Sequence, residues 1–71
     1  MNLSKTLLFK GQLIRFQLQA SVHGTYWQIV DEFGTVLREG HVDFRFVPKV
    51  DDPTIPHSIL DEQMQRYMQA A

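Results

Sequence analysis

Cysteine is absent from the 71 residues, which removes a disulfide framework, a thiolate metal site and a cysteine nucleophile together. Long apolar runs are absent too. The one nearest the start, Leu7-Leu8-Phe9, runs directly into Lys10-Gly11. It is far shorter than a secretory leader's apolar centre or the roughly 20 residues of a membrane span. A cytoplasmic protein with no membrane association is expected. Glycine is scarce, four residues scattered singly, so no glycine-rich phosphate loop can form. Acids are missing from residues 1–30, which carry Lys5, Lys10 and Arg15, whereas all eight acids lie in residues 31–71. The net charge of −1 argues against a dedicated nucleic-acid or membrane-surface protein. A chain this short has no room for two lobes around a cleft, and its stability must come from one small core, helped by oligomerisation.

Periodicity organises what is present. From Gln12 to Val22 the chain alternates strictly, with Ile14, Phe16, Leu18, Ala20 and Val22 on one face and Leu13, Arg15, Gln17, Gln19 and Ser21 on the other. A period of two marks a half-buried strand. Leu3–Phe9 reads as a shorter strand, joined through a two-residue Lys10-Gly11 turn that pairs Phe9 with Gln12. That register places Lys5 on the apolar face, which an edge strand tolerates. His23-Gly24 reads as the next turn, pairing Val22 with Thr25 and Leu18 with Ile29, and it leaves Tyr26, Gln28 and Val30 on the polar face. Glu32-Phe33-Gly34 reads as a three-residue loop with Gly34 in the left-handed region. Beyond it, Leu37 is inward on odd numbering but Val42, Phe44 and Phe46 on even numbering, so a bulge is expected at Glu39-Gly40.

All three prolines fall in residues 48–56 beside Asp51-Asp52, which predicts an extended connector over 48–57. Ser58 followed by Asp61 and Glu62 resembles a capping box and predicts a helix over 58–71. Its apolar stripe is Leu60, Met64, Tyr67, Met68 and Ala71. The expected fold class is α+β: a four-stranded antiparallel meander sheet over 1–47 with one C-terminal helix packed on its apolar face, a single domain.

Residues with catalytic potential are present but not in catalytic patterns. His23, His41 and His57 are too far apart for a shared metal pair on one element. His57 and Ser58 are sequence neighbours, whose side chains diverge. His41 and Asp43 point the same way from one strand without a nucleophile beside them. No enzyme, cofactor or metal is expected. Apolar residues with little core to reach are the stronger signal. Phe33 sits at a hairpin tip, Leu13, Val30 and Val36 make an apolar spot on the polar face, and Phe44-Arg45-Phe46 extends strand four as an unpaired edge. These residues predict a small protein-interaction module, a regulator, inhibitor or accessory subunit, with homodimerisation through residues 42–47. The alternative is a nucleic-acid-binding sheet face using Arg15, Tyr26, Arg38 and Arg45.

Overall fold

The computed structural model describes residues 1–70. Four strands, β1 (Asn2–Phe9), β2 (Gln12–Ser21), β3 (Gly24–Asp31) and β4 (Val36–Val42), pair antiparallel in the order β1-β2-β3-β4, and α1 (Thr54–Ala70) follows. This is the meander sheet plus C-terminal helix that the alternation predicts.

The first turn forms as expected. Phe9 pairs with Gln12, and Lys10 and Gly11 both take positive φ, 52° and 79°, the combination a two-residue hairpin of matching twist requires. The third turn is closed by Asp31. Its carboxylate accepts the N–H groups of Phe33 and Thr35, both at 2.9 Å, while Gly34 adopts φ 83°.

Two registers differ from expectation. At the second turn Ser21, not Val22, closes the hairpin opposite Gly24, so Leu18 faces Trp27 and Phe16 faces Ile29. The cause is the Ser21 hydroxyl, which accepts the His23 N–H and donates to the Gly24 carbonyl, each at 3.2 Å. It satisfies a turn of Val22-His23 one residue earlier. The slip is even, so every side chain keeps its face. The bulge lies at Leu37, between the pairs Val30–Val36 and Ile29–Arg38, and not at Glu39-Gly40. Gly40 pairs regularly with Trp27 because the indole lies over it: a Cβ there would stand 2.6 Å from Trp27 Cζ2. A glycine that reads as a bulge in the sequence is a floor for an aromatic ring.

The helix begins at Thr54, inside the expected connector and four residues ahead of Ser58. Asp52 caps it, its carboxylate accepting the Thr54 N–H at 2.9 Å while its carbonyl accepts the Ile55 N–H at 3.1 Å. Pro53 lies between this cap and Thr54, at the entry to the helix, where a missing N–H costs nothing. Pro56 and Leu60 are buried, and Ile59, Met64 and Tyr67 pack on the core with them. Tyr67 meets Phe9 and Phe16 at ring distances of 5.9 Å each. Asp61 lies beside Lys5 and Tyr67 beside Phe9, so α1 runs along β1 in the same direction, over the β1–β2 half of the sheet. Ala71, the last residue of the expected stripe, lies outside the described residues.

Phe44-Arg45-Phe46 is not an extension of the β4 edge. β4 ends at Val42, and the chain turns across the end of the sheet. The Thr25 hydroxyl donates to the Phe44 carbonyl at 2.6 Å, and the Phe46 N–H donates to the Ser21 carbonyl at 2.8 Å. Phe46 is 5% exposed and belongs to the core with Ile14, Phe16, Leu18, Ala20, Ile29 and Leu60. Residues 44–46 therefore do not continue β4 as the unpaired edge on which the expected dimer seam through 42–47 depends.

Candidate functional site

One face of the sheet carries α1 over its β1–β2 half, and the other face is open. Register assigns the open face row by row. Asn2, Gln19, Tyr26 and His41 form one row, Ser4, Gln17, Gln28 and Glu39 the next, and Thr6, Arg15, Val30 and Val36 a third; Leu8 and Leu13 close the face beside the first turn. The face is polar and nearly uncharged at one end and apolar at the other.

At the polar end Tyr26 leans on His41 with ring centroids 5.0 Å apart, and its hydroxyl donates to Glu39 at 2.8 Å. That bond to a carboxylate holds the phenol pKa above its ordinary value. Gln19, Ser21, His23, Tyr26, His41 and Asp43 line a wide depression there. His41 and Asp43 do share a recess, yet the hydroxyls near them are committed. Ser21 is bonded within its own turn and Tyr26 to Glu39, so both hydroxyls serve structural bonds. Among the described residues no three His, Asp or Glu side chains are placed to hold a metal ion.

At the other end Leu8, Leu13 and Val36 remain 69%, 48% and 44% exposed. Phe33, on the adjacent hairpin tip, is 85% exposed. Val30 differs from expectation: it is buried between Arg15 and Val36, its cross-strand neighbours, and supplies a floor instead of an exposed contact. A recess of about 310 Å³ opens over that floor, bounded by Leu13, Thr6, Arg15 and the acids Asp31 and Glu32. An apolar floor rimmed by opposite charges is the usual make-up of a contact patch. Nothing in the strand periodicity distinguishes Leu8 as a member of this corner. Its pairing with Leu13 is the signal that identifies it.

The four residues of the nucleic-acid reading do not converge. Arg15 and Tyr26 share the open face, but the bulge at Leu37 turns Arg38 to the helix side, where its guanidinium lies 5.5 Å over the Tyr67 ring. Arg45 is exposed on the segment that crosses the sheet end. Of the candidate protein-contact residues, Leu13, Val36 and Phe33 gather at one corner. Phe44, Arg45 and Phe46 lie at the opposite end of the sheet, with Phe46 inside. No helix of the described residues is long and apolar enough to cross a membrane. Family models, curated proteins and solved structures yield no match to this chain.

Proposed function

We propose that this chain is a small non-catalytic protein-interaction module of the cytoplasm, a regulator, inhibitor or accessory subunit that docks a partner protein on the apolar corner of its open sheet face. The observation carrying this reading is the exposed set Leu8, Leu13, Val36 and Phe33 at one end of the sheet, where Leu13 also borders a recess that includes buried Val30. A chain with so little core leaves these side chains in water only at a cost of about 1.5–3 kcal/mol each relative to burial. Lack of cysteine fits a reducing compartment. The commitment of the Ser21 and Tyr26 hydroxyls to structural bonds supports a binding role over a catalytic one.

The test is affinity capture with the folded chain beside a Leu13→Asp/Val36→Asp variant. Both side chains are about half exposed on the open face, so the variant should stay folded, with a melting temperature lowered by a few degrees at most, while losing a bound protein that survives high salt. An unchanged set of captured proteins would overturn the proposal. Retention of nuclease-sensitive material, weakened steeply by salt and by Arg15→Ala, would favour the nucleic-acid alternative instead.

A further inference from the structure

The two edges of the sheet are protected unequally. β4 carries the Leu37 bulge and the polar run Arg38-Glu39-Gly40-His41, devices that discourage another strand from adding to an edge. β1 carries neither. Its eight residues pair with β2 without irregularity, contain no proline, and include one charge, Lys5.

Backbone geometry fixes which groups β1 offers. Met1 and Ala20 exchange both of their hydrogen bonds, at 2.7 and 2.9 Å. Because antiparallel pairs alternate, Leu3, Lys5, Leu7 and Phe9 likewise direct their N–H and C=O groups to β2. Asn2, Ser4, Thr6 and Leu8 therefore direct theirs outward, and these same residues carry open-face side chains. Lys5, the one charge that could repel a second strand, is drawn over the sheet face instead. Its ammonium sits 2.6 Å from Asp61 on α1, neutralised on its own subunit.

We propose that two copies of this chain pair antiparallel along β1, with Thr6 facing the partner's Thr6 on a two-fold axis, joining two four-stranded sheets into one. Matching faces requires even residues to meet even residues, which leaves few registers. Centring on Lys5 sets two ammonium groups directly opposite and is repulsive. Centring on Ser4 or Leu7 leaves one end of each strand unpaired. Centring on Thr6 pairs Ser4 with the partner's Leu8, Lys5 with the partner's Leu7 and Leu3 with the partner's Phe9. The outward N–H and C=O groups of Ser4, Thr6 and Leu8 are then all used. It also sets the two Lys5 residues on the diagonal, so each Lys5–Asp61 pair lies beside the other and opposite charges of both copies meet at the seam. A two-fold axis normal to the sheet keeps both open faces on one side, and the assembly presents the docking corner twice. Leu8 and Thr6 belong both to the seam and to the docking corner, whereas Leu13 on β2 and Val36 on β4 take no part in the strand pairing, so substitutions at those two positions separate the two proposals.

The experiment is solution mass by sedimentation across a concentration series to the millimolar range, with a cysteine scan of β1. Wild type is expected to dimerise, and Leu13→Asp/Val36→Asp to dimerise equally, separating this proposal from the docking one. Thr6→Pro removes an N–H that bonds nothing within one subunit, a change an edge strand accepts, and should yield a folded monomer. Should Thr6→Pro fail to fold, Thr6→Lys, which opposes two lysines across the axis, gives the same reading. Thr6→Cys should cross-link on mild oxidation, because a hydrogen-bonded antiparallel pair holds Cα atoms about 5.5 Å apart, within disulfide reach. Ser4→Cys should not, since it faces the partner's Leu8. A wild type that stays monomeric would overturn the proposal, as would a dimer that survives both Thr6 variants or cross-links equally through Ser4→Cys.

Discussion

Gly40 shows how much one residue position can decide. Trp27, the chain's one tryptophan, lies where a side chain at position 40 would go, with its ring carbons 2.6 and 2.8 Å from the Cβ site. Gly40→Ala forces the ring or strand β4 to move, a form of overpacking that costs about 1–3 kcal/mol. A lower denaturant midpoint and a shifted tryptophan emission would show it; an unchanged spectrum would mean that the indole is not seated on β4. Asp52 is a second such position. The Thr54 backbone N–H holds its carboxylate below the usual aspartate range. A folded-state pKa below the unfolded one makes the stabilising contribution complete above the unfolded value, about 3.9. That contribution disappears as pH falls through the lower folded value. Asp52→Asn should therefore flatten the acid side of the stability–pH curve in the region just below pH 4, measured by thermal melts.

At the scale of the element, the helix start and the strand-four bulge were each legible only in part. Asp52-Pro53 is a start signal in its own right, a capping acid followed by proline at the helix entry, but three clustered prolines read more readily as a break. Ser58-x-x-Asp61 is the stronger-looking capping pattern and sits inside the helix. The two origins separate by mutation: Asp52→Ala should lower the melting temperature by a few degrees, while Ser58→Ala, at an exposed position within the helix, should leave it unchanged. The bulge was legible as a change of phase between Leu37 and Val42, yet its position was not, because Trp27 on the neighbouring strand chose it. One consequence is the fate of Arg38, placed on the helix side over Tyr67 and so separated from Arg15.

For the whole molecule, the segment after β4 closes the fold. Phe46 fills the open end of the core, and its N–H bonds to Ser21, so the crossing chain ties the end of β2 to the start of the helix. Truncating a buried phenylalanine costs about 3–5 kcal/mol, a large share of what a domain this small possesses. Phe46→Ala should thus populate unfolded chain at room temperature, visible as lost dispersion in a proton–nitrogen correlation spectrum. A well-folded Phe46→Ala would show that the helix holds to the sheet without its crossing segment. The proposed surfaces follow from the same layout: α1 covers one face over β1 and β2 and leaves open the opposite face and the β1 edge, on which the docking and pairing proposals rest.

Strand number, order and the inward set Ile14, Phe16, Leu18 and Ala20 are properties of the sequence alone. A period of two and turn residues such as Lys10-Gly11 and Asp31 act locally, and a register slip of two leaves each side chain on its face. Tertiary structure decided the rest. The position of the bulge, the side on which Arg38 lies, the burial of Val30 and the inward course of Phe44–Phe46 depend on Trp27, Tyr67, Arg15 and Ser21. Those partners are distant in sequence and meet only when the sheet, the crossing chain and the helix have packed together. The candidate site divides in the same way. Leu13, Val36 and Phe33 were visible as apolar residues out of place, but the corner they form with Leu8 exists only because strand pairing brings four separate segments to one end of the sheet.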